Sequence, residues 1–396
     1  MEREMASGQA KAREHYWDTL RAGLMLLGIP YHVALSYMPG SRWIVRSDEG
    51  FVGAPQIAEF IHFFRMPAFY VIAGYFAALL LMRRAPGFWL KGRFVRLGVP
   101  FVATIVTLVP VMNIACEFSN LPYPEAWSSF ANNSSTSGGY WVRHLWFIIV
   151  LLYLCTAAAA LITIWPRLAQ ARLNEELDRR IAARLPLALL AIAVVVGLWE
   201  GAAVEEFYIL GLNTNLLQGI LRLDELIIYT PYFALGCMLQ RAPAVAAAMG
   251  RFSIPVTAAA LVMTVISMTL IDGLHPATAR FVVALTAIAW TQVLIAAARS
   301  ALDRPVPAVE KIVQASYVIY LFHLPVICLL VWWGQYVAMP VVLKALMVTA
   351  ITTAVSYGAW VAMGWSPALS FAFNGTTKRT SLTARPPAAS PAREET

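Results

Sequence analysis

The sequence predicts an all-α, polytopic membrane protein with about ten spanning helices, and three observations support this. First, 59% of the 396 residues are hydrophobic and 13% are charged, whereas soluble domains hold about 25% charged residues. Second, apolar runs close to the roughly twenty residues that a spanning helix needs recur along the whole chain. Third, 22 of the 30 Lys and Arg fall in alternate connecting segments. Since cytoplasmic loops are rich in Lys and Arg, the number of spans is expected to be even, with both termini in the cytoplasm.

The predicted spans follow one another with short connections. Their approximate bounds are 16–38, 57–82, 98–117, 143–165, 186–204, 224–240, 253–272, 279–298, 312–333 and 340–363. Residues 1–15 are predicted to be a cytoplasmic N-terminal segment, 16–363 the transmembrane domain and 364–396 a cytoplasmic, disordered tail.

Three further features concern the connections. The segment 168–181 is predicted to form an amphipathic helix on the inner surface. The outer segment 118–142 contains a polar, Gly-containing stretch that is predicted to be flexible. The four cysteines lie mostly in apolar runs without metal-ligand spacing, so no metal site is expected. The net charge of +8 is concentrated in short loops, so it does not indicate a nucleic-acid partner.

The first predicted span contains the ionisable residues Asp18, Arg21 and His32. Asp18 and Arg21 are three residues apart and can pair on one helix face. Arg21 and His32 are separated by three helical turns, so they share a face at roughly 16 Å along the axis. Ionisable side chains inside a bilayer are costly and commonly functional. The alternative is structural, with Arg21 at the headgroups and His32 hydrogen-bonded to another helix.

The second predicted span contains His62 and Arg65, again three residues apart. An arginine at this depth needs a partner or water. The residues therefore indicate either a binding site or a structural ion pair between Arg65 and an acid such as Glu59.

A basic loop follows the second span on the predicted cytoplasmic side, with Lys91, Arg93 and Arg96. Guanidinium and ammonium groups bind phosphate well, so the loop predicts a clamp for a nucleotide-bearing donor. The alternative is the ordinary enrichment of positive charge near lipid headgroups.

Later spans contribute further candidates. His144 and Trp146 lie at the outer start of the fourth span, and Glu200 lies near the outer end of the fifth. Tyr317 and His323 lie in the ninth, with His323 well inside it. The aromatic residues also suit a membrane-interface belt. The serine-elbow, Walker and HExxH motifs do not occur, which disfavours serine hydrolases, phosphoryl transfer and zinc hydrolysis.

These motifs together resemble the membrane acyltransferase-3 family. The family carries an arginine, ten residues and a histidine in its first span, and Arg21 and His32 match this. Ala73 stands where the family usually has a serine, so this chain has no hydroxyl at that position. Further similar segments are 64–76, 91–100, 144–147 and 320–325.

Within that family, residues 20–32 and 59–66 are most similar to members that add succinyl groups to osmoregulated periplasmic glucans. The resemblance implies a multi-pass O-acyltransferase of the bacterial inner membrane. It implies cytoplasmic succinyl-CoA as co-substrate, a periplasmic β-glucan as acceptor and no permanently bound cofactor. It leaves open assembly as a homo-oligomer or with other glucan-biosynthesis proteins.

The hypothesis assigns a role to each candidate. His32 acts as general base on a sugar hydroxyl, an imidazole being suited to proton transfer near neutral pH. The expected catalytic residues are His32, Arg21, Asp18 and His323. The expected donor-binding residues are Arg21, Lys91, Arg93, Arg96 and Arg65, the last for the succinyl carboxylate or the oxyanion. The expected acceptor-binding residues are His62, His144, Trp146, Tyr317 and Glu200. Direct attack and a transient acyl-His32 both remain open.

Two other functions are compatible with the residues. One is O-acetylation of another envelope polysaccharide. The other is a proton-coupled transporter or flippase, since intramembrane Asp, Arg and His also form proton relays. The sequence shows no internal repeat of the kind that many transporters have.

Overall fold

The computed structural model describes residues 15–40 and 43–376, and within these ranges every regular element is helical. The helices are α1 (His15–Leu26), α2 (Gly28–Ser36), α3 (Ala54–Leu81), α4 (Pro86–Arg93), α5 (Val99–Asn120), α6 (Tyr123–Thr136), α7 (Gly139–Val142), α8 (Trp146–Ile164), α9 (Glu175–Ala183), α10 (Leu185–Trp199), α11 (Glu205–Ile209), α12 (Leu223–Arg241), α13 (Pro243–Met249), α14 (Ile254–Leu270), α15 (Pro276–Leu302), α16 (Pro307–Gly334), α17 (Val341–Met363) and α18 (Pro367–Asn374). Three π-helical turns supplement them: Phe94–Gly98, Glu200–Val204 and Asn215–Ile220.

Eight helical stretches of the described chain are long and apolar enough to cross a membrane. They are Ala54–Leu81, Pro86–Asn120, Gly139–Ile164, Leu185–Ile209, Ile254–Gly273, Pro276–Leu302, Pro307–Gly334 and Val341–Met363. The other two predicted spans are also helical. One is α12, and the other is α1 with α2, interrupted at Leu27. The prediction of an all-α, polytopic membrane protein is therefore confirmed.

The first span and α12 lie inside the bundle. The first span packs on α3, α15 and α16, and α12 packs along α3. Peripheral helices expose aliphatic side chains instead, such as Leu261, Val262 and Val265 of α14. A helix that is apolar on its exposed face is typical of a membrane span. The interior helices are thus the ones that build the site described below.

Hydrogen bonds between connecting segments define two ends of the bundle. At the first, here called the basic end, Gln170 donates to the Met82 carbonyl at 3.2 Å and Leu173 donates to the Arg241 carbonyl at 3.0 Å. At the opposite end, called the loop end, Asn120 Nδ2 donates to the Ile44 carbonyl at 3.0 Å. The charge bias predicts that the basic end faces the cytoplasm, and this orientation stays a prediction.

The segment predicted as a basic loop is helical instead. Lys91 and Arg93 lie in α4, and Arg96 lies in the π turn that leads into α5. Because Pro100 lacks an amide hydrogen, it cannot donate to the Arg96 carbonyl. The chain takes a wider π turn at this position and continues as one helix.

The stretch predicted to be flexible in 118–142 is helical in its polar part, because residues 132–136 lie in α6, whereas Gly138 and Gly139 lie beyond the end of that helix. Asn133 Nδ2 in α6 donates to Glu117 Oε1 at 3.0 Å. The Trp127 ring of α6 packs on Phe118 at 5.3 Å between ring centroids. These contacts with α5 stabilise the polar sequence as a helix at the loop end.

Two predictions for the basic end need correction. The helix predicted over 168–181 is α9, which begins only at Glu175. The Asp178 carboxylate accepts the backbone N–H groups of Ala244 and Val245, which holds one face of α9 against α13, while the Arg and Glu side chains of α9 are exposed. The prediction of disorder from residue 364 is wrong for α18, where Phe373 packs on Phe322 with centroids 5.5 Å apart. Residues 1–14 and 377–396 lie outside the described residues.

Helices α3 and α12 cross with their backbones in contact. A Cβ atom added to Gly74 would overlap the carbonyl oxygen of Phe233, and one added to Gly236 would overlap that of Val71. The Cys237 thiol donates to the Gly74 carbonyl at 3.3 Å. Small residues permit such close approach between membrane helices. This crossing sets the position of α12 beside the interior cavity.

We predict that Gly74→Ala destabilises the fold by about 1–3 kcal/mol, the usual cost of overpacking a tight contact. The measurement is the thermal unfolding midpoint of the purified protein in detergent. Gly23→Ala is the matched control, since a Cβ there meets nothing within 4 Å. Equal midpoints for the two variants would contradict the assigned backbone contact.

Candidate functional site

A cavity of about 630 Å³ lies inside the bundle, between α2, α3, α12, α16 and the start of α8. Its volume is within the range of about 300–1,000 Å³ that is typical of ligand sites. The side chains that line it include histidines, arginines, carboxylates and aromatic rings. This combination can hold a charged group, move a proton and bind hydroxyl groups.

His32 lines the cavity from α2, the second half of the first span. The span is interrupted because Pro30 has no amide hydrogen to donate to the Leu26 carbonyl. The His32 ring stacks on Trp43 with centroids 5.4 Å apart, and its side chain is buried. Its Nδ1 has no hydrogen-bond partner within the described residues. The ring is therefore positioned by packing, and Nδ1 is not committed to a bond with the protein.

His323 stands beside His32 in the middle of α16, with ring centroids 5.2 Å apart. Its Nδ1 is 2.6 Å from the Tyr320 carbonyl oxygen. Since a carbonyl only accepts, Nδ1 carries the hydrogen, and a neutral ring then has its lone pair on Nε2. Nε2 has no partner in the described part of the chain. The His144 ring lies 5.4 Å from His323, so three imidazoles form one cluster.

Arg65 brings a positive charge to the same place. Its guanidinium carbon lies 4.6 Å from the centre of the Tyr31 ring, and its Nε has no hydrogen-bond partner among the described residues. No described carboxylate forms an ion pair with it. The alternative of a structural pair with Glu59 is therefore wrong. Unpaired charge in this setting favours a bound anion or water.

Gly28 explains how these groups approach one another. A Cβ atom at Gly28 would lie 2.9 Å from Arg65 Nη1 and 3.4 Å from His323 Nε2. The guanidinium and the imidazole thus meet against bare backbone at the start of α2. A larger residue at this position would displace the Arg65 guanidinium from its place beside the cavity.

Three arginines line the part of the cavity nearer the loop end, and each has a partner. Arg143 Nε donates to Asn113 Oδ1 at 2.7 Å. The other two form ion pairs, Arg222 with Glu225 at 2.7 Å and Arg280 with Glu205 at 2.8 Å.

Arg143 and Arg222 have positive φ values of 45° and 54°. Within the described chain they are the non-glycine residues with positive φ. Such strain is costly and tends to occur at functional sites. The polar partners of these arginines and the strained backbone at two of them therefore indicate a functional role for this part of the cavity.

The same region offers surfaces that suit a polar, ring-shaped ligand. Trp146 and Tyr229 stack with centroids 5.5 Å apart and line the cavity together. Glu200 is buried and its Oε1 accepts the Tyr232 hydroxyl at 2.6 Å. His62 is exposed to the cavity, with its Nδ1 3.4 Å from the Tyr31 hydroxyl.

Of the predicted acceptor-binding residues, Tyr317 does not belong to this cavity. Its hydroxyl donates to the Leu97 carbonyl at 3.2 Å, in the π turn that contains Arg96. An acceptor-binding role is therefore not supported for it. The other four residues predicted for that role line the cavity: His62, His144, Trp146 and Glu200.

Asp18 and Arg21 also lie outside the cavity, toward the basic end. Their side chains pair at 3.4 Å, and the Arg21 guanidinium lies 5.6 Å from the centre of the Phe76 ring. Their predicted place in the catalytic group is therefore not supported. The cavity nevertheless reaches Leu24 and Met25, about one helical turn from Arg21.

Apart from Arg65, which lies at the cavity, the residues predicted to bind the donor are grouped toward the basic end. Arg21 and Arg96 both lie close enough to Arg93 to interact with its charge, and so does Arg84. Lys91 is exposed in the same helix. The cluster faces the basic end of the bundle, and the first span connects it to the cavity.

Several cavity residues were not assigned a role from the sequence. They are Tyr31, Trp43, Arg143, Arg222, Tyr229, Tyr232 and Arg280. The arginines did carry a signal, because they lie at the predicted outer ends of spans in a chain whose positive charge is otherwise cytoplasmic. The aromatic residues carried none that separates them from an interface belt.

Comparisons with known proteins agree with these motifs. A family model described as an acyltransferase domain matches residues 14–361. Curated relatives named Glucans biosynthesis protein C, from Salmonella gallinarum, Salmonella typhi and Salmonella typhimurium, are each 30% identical over 234 residues. The aligned region is 57% of this chain and 58% of each relative, so the match spans little more than half of their length. No solved structure gives a significant match.

Proposed function

Since the chain belongs to the acyltransferase-domain family, we propose that it is a membrane O-acyltransferase that moves a succinyl group from succinyl-CoA to hydroxyls of periplasmic glucans. The observation that carries the proposal is that His32 and the unpaired Arg65 line one interior cavity, with the His323 ring packed beside His32. The named relatives support a glucan as the polymer involved. The protein works in the bacterial inner membrane, with its basic end in the cytoplasm.

The donor enters from the basic end in this proposal. Lys91, Arg93 and Arg96 bind the phosphates of the CoA moiety, because guanidinium and ammonium groups pair strongly with phosphate. Arg21 holds the donor closer to the bundle. The extended arm then follows the first span toward Leu24 and Met25, where the cavity begins.

The reaction needs one base and one site for negative charge. His32 takes the proton of a sugar hydroxyl, and the hydroxyl oxygen attacks the thioester carbon. The carbon–sulfur bond breaks, and the departing thiolate takes the proton from His32, which gives a sugar ester and free CoA. A transient acyl-His32 followed by attack of the sugar satisfies the same geometry.

Arg65 supplies the positive charge in one of two ways. It binds the free carboxylate of the succinyl group, or it stabilises the oxyanion on the thioester carbon. Its lack of an ion pair within the described residues supports both roles. His323 orients or relays the His32 proton, supported by its fixed tautomer and its free Nε2.

The acceptor reaches the cavity from the loop end. The stacked Trp146 and Tyr229 rings support binding of a sugar ring, and Glu200 and His62 are polar groups for its hydroxyls. A proton-coupled transporter remains the rival from another class. Binding of acyl-CoA to the purified protein without counter-substrate flux in liposomes separates the two.

We predict that His32→Ala abolishes succinylation of periplasmic glucans while the protein stays folded and inserted. A general base contributes about 10²–10⁴-fold to the rate. The measurement is mass spectrometry of glucans from a strain that relies on this chain. His275→Ala is the matched control, since its side chain is 66% exposed at the loop end. Normal succinylation in the His32→Ala variant would contradict the assignment of His32 as the general base.

Arg65→Gln tests which group the guanidinium binds. If it binds the succinyl carboxylate, kcat/KM for succinyl-CoA falls at least about tenfold further than kcat/KM for acetyl-CoA, since a charge-assisted bond is lost only with the first. Equal losses with both donors would assign Arg65 to the oxyanion. A wild-type protein that prefers acetyl-CoA would instead favour the O-acetyltransferase alternative.

Arg21→Ala is expected to weaken succinyl-CoA binding about tenfold through loss of one charge-assisted contact. The KM for the glucan should stay unchanged. Calorimetry with succinyl-CoA and steady-state kinetics measure the two quantities. Arg179→Ala is the control, because that side chain is 68% exposed in α9 at the same end. A raised glucan KM with unchanged donor affinity would contradict the role.

A further inference from the structure

A second cavity adjoins the first at the loop end. Its volume is about 350 Å³, again within the range of about 300–1,000 Å³ typical of ligand sites. Trp43, Ile44 and Arg143 line both cavities, so the two share one wall. The remaining lining comes mainly from α5, α6 and α7, through Glu117, Asn120, Asn133 and Tyr140. None of these four residues belongs to the site described above.

The second cavity is lined by hydrogen-bonding groups around one carboxylate. Glu117 Oε1 accepts Asn133 Nδ2 at 3.0 Å and the Tyr140 hydroxyl at 2.9 Å. The other oxygen of Glu117 makes no hydrogen bond in the described residues, so it is free to accept from a ligand hydroxyl. Two bonds to Oε1 hold the carboxylate in one orientation.

Arg143 forms the wall between the cavities. Its Nε donates to Asn113, and its guanidinium carbon lies 4.3 Å from the centre of the Tyr140 ring. These contacts leave the terminal nitrogens of the guanidinium as donors. The exposed Arg46 lines this cavity as well, so one carboxylate stands with two guanidiniums. Because donors and an acceptor lie side by side, the site suits a ligand whose groups both donate and accept hydrogen bonds.

We propose that this second cavity is a subsite for sugar units of the acceptor chain that flank the unit receiving the acyl group. The inference rests on the proposed function and names how its acceptor is recognised. Neutral sugars carry hydroxyls that both donate and accept, which suits Glu117 and Arg143 together. Because the two cavities adjoin at Trp43, Ile44 and Arg143, a chain of several sugar units can occupy both. The enzyme therefore selects a polymer over a short sugar by binding the neighbours of the reacting unit.

The test compares acceptors of different length on the full-length protein in detergent. Succinyl transfer from succinyl-CoA is measured to a β-linked glucose disaccharide and to a long glucan of the same linkage. We expect Glu117→Gln and Asn133→Ala to lower the long-to-short ratio of kcat/KM about fivefold, as loss of one hydrogen bond predicts. The change should come from KM of the long glucan. Glu125→Gln, exposed in α6, is the control and leaves the ratio unchanged.

The same ratio in wild type and both variants would overturn the subsite. Thermal unfolding midpoints identify a variant that is misfolded, and the other variant then decides. If the wild-type protein transfers nothing to either acceptor, the proposed function fails. Calorimetry of the long glucan without donor then tests the subsite alone. Weaker binding of the long glucan to Glu117→Gln than to Glu125→Gln supports the subsite. Equal binding of the glucan to the two variants overturns it, and so does binding of phosphate that is tighter than binding of the glucan.

Discussion

A guanidinium in an apolar helix bundle persists only where a partner, water or a bound anion compensates its charge. Arg65 lies over the Tyr31 ring and against Gly28, without an ion pair among the described residues. The surrounding helices are arranged around this requirement. The start of α2 carries no side chain at Gly28, α16 brings His323 to the same point, and α3 is held close to α12 by contact between their backbones. The cavity is thus the polar space in which water or a bound anion compensates the charge of Arg65.

The spans were predictable because length, apolarity and charge bias act on each segment locally. The errors fell on segments outside the spans that contacts with other helices hold in place. The helix α6 forms where Trp127 meets Phe118, and α18 forms where Phe373 meets Phe322. Each pair joins two different helices, so the composition of either segment alone did not indicate the contact. The predicted basic loop gave a similar error, because a π turn joins α4 to α5 where a loop was expected.

The site was predictable where an ionisable residue lay inside a span. His32, His62, Arg65 and His144 line one cavity, as their cost in a bilayer suggested. Which neighbour an aromatic residue contacts depends on how the helices pack. The sequence therefore did not predict that Tyr317 contacts Leu97 instead of the cavity. The more informative signal was the exception to the charge bias. Arginines at the predicted outer helix ends, such as Arg143, Arg222 and Arg280, turned out to line the cavity.

The interruption of the first span at Leu27 divides it into two helical pieces with different neighbours. The piece before it carries Arg21 and meets α3 near Phe76, whereas the piece after it carries His32 against Trp43 and His323. A continuous helix would transmit any tilt of one half to the other. Under the proposed function, substitutions before Leu27 change donor binding without moving the imidazole of His32. Donor preference is then expected to diverge on the basic side of Leu27, while the His32 side stays fixed.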